Sequence, residues 1–486
     1  MTPLSPLTES PSGPVYSLFV DGQWVATPTA IPVRNPATNQ VFAHVATCDR
    51  HHAAAAFVAA HKAFEAWRVR PARDRAALLV RLADAIDREA DALASLISTE
   101  NGKPLLQSKG EVAMSSDHLR WFAEEGKRAY GKVIPHQVPG KRHLSVKSPV
   151  GPVGIICPWN FPLVLVLRKA AAAWAAGCTV VAKPAPQTPL VCLALARITQ
   201  DVGFPPGLFS VVLGDAAALG TEMMENPLCR KVSFTGSTAV GRILIQQAAA
   251  HIKPLSLELG GHAPVLVFDD ADLDKAVEGV MFAKFRNAGQ ACTAANRIFV
   301  QSGIWSAFLS RFEEKVRALK VGESHEPNVD VGPLIDASAV AKAERHIADA
   351  VARGAQVVLG GKRLDRPGNF FAPTMLTNVD PQSLCMNEET FAPVAPLCVF
   401  DNEAEAISRA NDSSYGLAAY AFTRDMARTF RLAESLEAGT IAINDGVPAT
   451  SQAPFGGVKQ SGWGRELGSE GLDAFLETKH VSLGVG

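Results

Sequence analysis

From Val150 onward the chain alternates short apolar strands with helices, and no other feature of the sequence restricts its fold as much. Val153-Gly-Ile-Ile-Cys157 reads as a buried strand, residues 162–176 as a helix, Thr179-Val-Val-Ala-Lys183 as the next strand, and 188 to about 202 as a helix. Phe209-Ser-Val-Val-Leu213, a short helix, Lys231-Val-Ser-Phe234 and a helix over 238–251 continue the series. The same texture resumes after Glu258 and runs to Ile441-Ala-Ile-Asn444. Such β-α-β alternation predicts parallel sheets with helices on both faces, here in two α/β lobes.

The region before Val150 is different. After a tail over 1–14 rich in Pro, Ser and Thr, Ser17-Leu-Phe-Val-Asp-Gly-Gln-Trp-Val25 reads as a hairpin turning at Asp21-Gly22. Helical patterns cover 53–67 and 74–98, the second with Leu78, Leu79, Leu82 and Ile86 on one face and a stop near Asn101-Gly102. A third runs to about Tyr130, and 131–148, basic and broken by Pro and Gly, looks like a protruding hairpin.

At 486 residues the chain is too long for one core. A formal net charge of −1 gives no bulk attraction to nucleic acid or an anionic membrane, so any anion site must be built locally. The eight cysteines are scattered, with no Cys-x-x-Cys and no Cys/His cluster at zinc spacing, which speaks for a reducing compartment and assigns no metal. The N-terminus lacks a basic start and an apolar core, unlike a secretory signal. The longest apolar run, 163–176, is interrupted by Arg168 and Lys169. A cytoplasmic protein is expected.

Several short stretches carry potential chemistry, each with a plain structural alternative. Phe234-Thr-Gly-Ser-Thr-Ala-Val-Gly241 joins a strand to a helix; its free N–H groups suit a diphosphate, or Ser237 or Thr238 simply caps the helix. Lys183 closes a strand at the carboxyl end, where open parallel sheets bind ligands, or is a surface lysine. Pro158-Trp-Asn160-Phe-Pro162 holds an asparagine able to donate to an oxyanion, or forms a structural turn. Glu258-Leu-Gly-Gly261 offers a general base, or an ion-paired glutamate. Asp269-Asp-Ala-Asp-Leu-Asp274 lacks the glycine and terminal glutamate of a calcium loop and reads as a helix start. Cys292, in Gly289-Gln-Ala-Cys-Thr-Ala294, has little apolar bulk around it, so a reactive thiol and a packed one stand level.

The order of these stretches, together with Glu388-Glu-Thr-Phe391 and Pro454-Phe-Gly-Gly457, resembles the aldehyde dehydrogenase superfamily over nearly the whole chain. Phe122-Ala-Glu-Glu-Gly-Lys-Arg-Ala-Tyr-Gly131, Lys284-Phe-Arg-Asn-Ala-Gly-Gln290 and Pro454-Phe-Gly-Gly-Val-Lys-Gln-Ser-Gly462 resemble its succinate-semialdehyde group. The resemblance implies a Rossmann-like cofactor domain over 1–130 and 149–257, a catalytic domain over 258–465, and an oligomerisation element over 131–148 and 466–486 that builds a homodimer or homotetramer. It implies Cys292 as nucleophile, Glu258 as base, Asn160 with the Cys292 amide as oxyanion hole, and Lys169 and Glu466 as a proton relay. Pro158, Trp159, Lys183, Gly236, Ser237, Glu389 and Phe391 would hold the cofactor, and Arg168 and Arg286 the far carboxylate of a semialdehyde, with Thr450 or Ser451 offering a hydroxyl. NAD-selective members usually carry a glutamate where this chain has Pro186, so NADP is expected to be accepted and preferred, with NAD as the alternative. The loop 446–453 departs from the closest relatives, which leaves glutarate or 2-oxoglutarate semialdehyde open beside succinate semialdehyde. Ala294 replaces a second cysteine present in several relatives, so no local disulfide at Cys292 is expected; Ala392 replaces a glycine after Phe391. A catalytically silent protein on this scaffold is the reading from another class, opposed by intact Cys292, Glu258 and Asn160.

Overall fold

The computed structural model describes residues 13–485. Most of the N-terminal tail, 1–12, lies outside them. The first lobe is built on an eight-stranded sheet in the order Gly462–Trp463, Leu255–Glu258, Lys231–Thr235, Val153–Ile156, Val180–Lys183, Phe209–Val211, Leu18–Val20, Gln23–Val25. The five central strands are parallel, as their unbroken burial requires. The expected hairpin forms one edge, its turn made by Asp21 at φ 52° and Gly22 at φ 74°. The chain lays strands outward from Val153–Ile156, then returns to place Lys231–Thr235 on the other side of it. That reversal leaves a crevice at the carboxyl ends of these two strands, the standard ligand position of an open α/β sheet.

The second lobe has seven strands in the order Gln356–Leu359, Thr374–Thr377, Val394–Phe400, Ala295–Gln301, Ala263–Val267, Ala418–Phe422, Thr440–Ile443. Only the Gln356–Leu359 edge is antiparallel. Each sheet has its own hydrophobic core. The strand Gly462–Trp463, expected in the second lobe, pairs instead with Leu255–Glu258 of the first and carries the chain back across the crevice.

Lys132–Ile134, Lys141–Pro149 and Leu476–Gly484 form a separate three-stranded sheet, the last two paired from Leu476 opposite Pro149 to Gly484 opposite Lys141. Another small sheet, Val15–Tyr16, Val41–Ala46 and Ala30–Arg34, was not anticipated. The helix expected over 74–98 is two helices, Ala72–Arg88 and Ala90–Asn101. Glu89 between them leaves the helical region at ψ 15° with its carboxylate held by Arg197, a distant contact that no local residue signals. The acidic run does start a helix: Asp272 caps Leu273–Phe285, accepting from the Lys275 amide at 3.3 Å. The apolar run becomes the buried helix Val164–Ala176, and among the described residues no helix is long and apolar enough to cross a membrane.

Candidate active site

Two cavities meet at Cys292. The larger, of about 380 Å³, opens along the crevice of the first sheet and is lined by Pro158, Trp159, Asn160, Gly236, Ser237, Glu389 and Phe391, among others. The smaller, of about 40 Å³, lies in the opposite direction and is lined by Met114, Phe161, Arg168, Arg286, Val447, Pro448, Ala449 and Phe455, among others. Cys292 is half-buried and belongs to both walls. A thiol at the junction of a polar crevice and a short, arginine-bearing pocket can attack a carbonyl presented from one side while a second ligand is held on the other.

The backbone that presents this thiol is unusual. Arg286 ends the helix run, and Asn287, Ala288 and Gly289 follow with φ of 51°, 57° and 74°. Such a left-handed run is costly outside glycine and needs outside support. The support is visible: the Asn287 amide donates to Gln107 Oε1 at 2.8 Å, and the wholly buried Gln290 side chain donates to the Asn287 carbonyl at 3.0 Å and accepts from the Ile335 amide at 2.9 Å. Across the junction a Cβ on Gly261 would come 2.1 Å from the Cys292 carbonyl oxygen, so glycine is required for the two segments to pack.

Cys292 Sγ lies 3.3 Å from Glu258 Oε1. Burial, and then the Glu258 carboxylate, push the thiol well above its ordinary value. Burial, followed by the charge of Glu466, raises Glu258 as well. From Glu258 a buried chain leads inward: Thr235 Oγ1 donates to Glu258 Oε2 at 3.1 Å, Lys169 Nζ reaches Thr235 Oγ1 at 2.5 Å, and Lys169 pairs with Glu466 Oε1 at 2.7 Å. Burial, the largest single influence, would lower Lys169, but Glu466, Cys157 and Glu258 together more than offset it and hold the lysine above its ordinary value. Lys169 and Glu466 are thus joined to Glu258 through Thr235, which carries no chemical mark in the sequence beyond preceding Gly236. Asn160 sits at the same junction, its Nδ2 donating to the Gln290 carbonyl at 3.1 Å.

In the large cavity Ser237 caps the helix Thr238–Ala249, accepting from the Val240 amide at 3.3 Å, with Gly236 at the turn before it. Glu389 accepts from the Gly261 amide at 2.9 Å; burial pushes its carboxyl up to about 7. The Phe391 ring meets Trp159 edge-on at 5.6 Å. Lys183 ends the strand beside Val153–Ile156; it is buried, lowered by burial, and among the described residues the only hydrogen bond of its ammonium is to the Pro184 carbonyl at 3.4 Å. Pro186 is exposed beyond it. A buried ammonium with no carboxylate partner among the described residues, near a helix start, suits a phosphate-bearing dinucleotide.

In the small cavity Arg286 lies over the rings of Phe161 and Phe282, at 5.0 and 5.2 Å, and has no carboxylate partner among the described residues. Arg168 lies over Phe455 at 4.8 Å and shares Glu466 at 3.7 Å. The two hydroxyls expected there are elsewhere. Thr450 is exposed and donates to Gln452 at 2.7 Å, and Ser451 is buried against His118 and Asp117. The loop turns Val447, Pro448 and Ala449 to the cavity instead, so that wall is apolar.

The thiol titration is open to a direct check. In Glu258→Gln the carboxylate that opposes thiolate formation is gone while burial remains, so the midpoint for alkylation of Cys292 is expected at lower pH than in the wild type. The pH dependence of inactivation by iodoacetamide reads this; an unchanged midpoint or a rise would contradict the assigned cause.

A cysteine with a carboxylate at hydrogen-bond reach, between a crevice at the carboxyl ends of a parallel sheet and a short arginine-bearing pocket, is an arrangement suited to oxidising an aldehyde. The aldehyde dehydrogenase family model matches residues 24–481, and the chain belongs to that family. Among its relatives, the succinate-semialdehyde dehydrogenase (NADP(+)) of Escherichia coli (strain K12) is 48% identical over 469 residues, covering 96% of this chain and 97% of that protein. A glutarate-semialdehyde dehydrogenase of Pseudomonas aeruginosa is 48% identical over 468 residues, covering 96% and 97%. The crystal structure of succinate-semialdehyde dehydrogenase from Burkholderia pseudomallei matches with a TM-score of 0.95 at 46% identity, covering 97% of this chain and 98% of that one.

Proposed function

We propose that this enzyme oxidises succinate semialdehyde to succinate, with NADP as the preferred acceptor. The observation that carries the substrate assignment is Arg286, a guanidinium in the cavity beside Cys292 with no ion-paired acid among the described residues. A carboxylate at the far end of the substrate satisfies it and turns the aldehyde towards the sulfur. Cys292 attacks the carbonyl carbon as the thiolate, its proton having passed to water in the open crevice, and forms the S–C bond; the Asn160 amide, with the Cys292 N–H, takes up the charge on oxygen, which leaves Glu258 ionised for the second half-reaction. Lys183, Gly236, Ser237 and Glu389, with Pro158, Trp159 and Phe391 around them, would hold a dinucleotide in the crevice, and that group would supply the acceptor for the hydride lost by the carbon. The acyl group left on Cys292 is then released by water whose proton Glu258 accepts and relays through Thr235 towards Lys169 and Glu466.

The test is a comparison of kcat/KM for succinate semialdehyde and butanal. Arg286→Ala is expected to lower the first by about 10²–10³-fold, the cost of removing one partner of a buried charged pair, and to leave the second nearly unchanged. Equal losses would remove the clamp. The apolar wall at Val447–Ala449 sets no polar stop for chain length, which favours glutarate semialdehyde as the second reading.

For the cofactor, Pro186→Glu places a carboxylate near the site assigned to the 2′-phosphate. The NADP to NAD ratio of kcat/KM is expected to fall about 10-fold, as like charges at several ångströms imply; an unchanged ratio places the phosphate elsewhere. Assembly into a homodimer or homotetramer is assigned to the three-stranded sheet, whose edge leaves Val133 78% and Ile134 41% exposed.

A further inference from the structure

Helix Leu105–Glu125 runs along the substrate cavity, and one face of it meets each wall in turn. Gln107, Glu111, Met114, His118 and Trp121 recur at steps of four and three, the spacing that aligns side chains along a helix. Gln107 holds the Asn287 amide beside Arg286. Glu111 accepts from the Leu163 and Val164 amides at 2.9 and 3.2 Å, fixing the start of the helix that carries Arg168. Met114 lines the cavity itself. One turn further, His118 Nδ1 lies 2.8 Å from Ser451 Oγ, and the Ser451 hydroxyl donates to Asp117. Trp121 Nε1 donates to the Gly468 carbonyl at 3.3 Å, and the Gly468 amide donates to the Ser451 carbonyl at 2.9 Å.

The hydrogen bonds at Ser451 fix their own directions. A carboxylate only accepts, so the single Ser451 hydrogen goes to Asp117 and the oxygen accepts from His118 Nδ1–H. The imidazole is held neutral by burial and by the nearby Arg168 charge, consistent with that tautomer. Ser451 therefore has no hydrogen left for a substrate. It is instead an anchor, two residues beyond Ala449, for the loop whose Val447, Pro448 and Ala449 form the apolar wall of the cavity.

We propose that His118 and Asp117 are positioning residues that, through Ser451, hold this wall at the depth that discriminates four-carbon from five-carbon ω-carboxylated aldehydes. The proposal rests on the substrate class assigned above. Its experiment is the kinetics of full-length wild type, Asp117→Asn, His118→Leu, the double variant and Ser451→Thr with succinate semialdehyde, glutarate semialdehyde and butanal. The C4 to C5 ratio of kcat/KM is expected to move towards unity by about 5-fold or more in each single variant, a fraction of what one methylene can be worth in a pocket. The change should lie in KM, with kcat for butanal unaltered. The double variant should go no further than the larger single one, because both act on one hydroxyl. Ser451→Thr, which keeps the hydroxyl, should keep the wild-type ratio. Asp117 is exposed, so its variant remains informative if His118→Leu fails to fold. Unchanged ratios in the single variants, parallel losses on butanal, or a wild-type ratio already near unity would overturn the proposal. A wild type that shows no preference for either semialdehyde over butanal would overturn the substrate assignment itself, a separate result.

Discussion

Cys292→Ser is expected to lower kcat/KM for succinate semialdehyde by at least about 10⁴-fold, the scale on which losing a covalent nucleophile acts. A hydroxyl at this position faces the same burial and the same adjacent carboxylate as the thiol, and both oppose its ionisation. Sulfur tolerates this because a small thiolate fraction is intrinsically very nucleophilic; an alkoxide starts from a far higher pKa. The variant should fold, since serine is smaller than cysteine and the residue stands half-buried at a cavity junction. The check is a stopped-flow mixing experiment followed at the absorbance of the reduced cofactor. The wild type should give a burst, and Cys292→Ser none. A burst of normal size in the variant would move the nucleophile away from Cys292.

Glu258→Gln is the second large effect. The glutamate touches the thiol with one oxygen and the Thr235 hydroxyl with the other, so it links the sulfur by hydrogen bonds to the buried Lys169–Glu466 pair. Glutamine keeps the size and one acceptor oxygen but cannot take a proton. Turnover is expected to fall by about 10³-fold, within the range for a positioned general base. The two half-reactions should separate: acylation continues, aided by the lower thiol pKa, while hydrolysis of the acyl group stalls. The measured signature is a burst of near-stoichiometric size followed by almost no steady state. Loss of burst and turnover together would make Glu258 essential for activating the thiol rather than for releasing the acid.

How much of this was readable in advance depends on whether a residue's role is local. The central strands were visible because strands buried on both faces are nearly continuous apolar runs, as Val153–Ile156 is and as Val180–Lys183 is up to its terminal lysine. Cys292 itself was undecided by its neighbours; only the order of motifs along the chain raised it. Thr235 could not be picked out, because a threonine ending a strand before glycine is ordinary, and its role comes from two partners brought to it by other elements. The expectation for Thr450 and Ser451 erred for a related reason. Their loop does border the cavity beside Cys292, but the Thr450 hydroxyl turns to Gln452 and the Ser451 hydroxyl to Asp117 and His118, the latter 333 positions away in the chain. Arg286 and Arg168 both face the cavity, yet the sequence held no sign that Arg168 would share Glu466 with Lys169 while Arg286 would have no acid partner among the described residues. The break at Glu89 falls between Arg88 and Ala90, good helix formers that mask it.

The central claim joins a nucleophile, a base and a substrate class, and one trapping measurement addresses all three. Glu258→Gln is mixed with NADP and succinate semialdehyde, quenched in acid after the burst, digested, and read by mass spectrometry. The account predicts a succinyl group on the peptide containing Cys292, close to one per chain, and a much slower build-up of the butyryl adduct when butanal replaces the semialdehyde. An unmodified Cys292 peptide, or succinyl and butyryl adducts forming at the same rate, would contradict it.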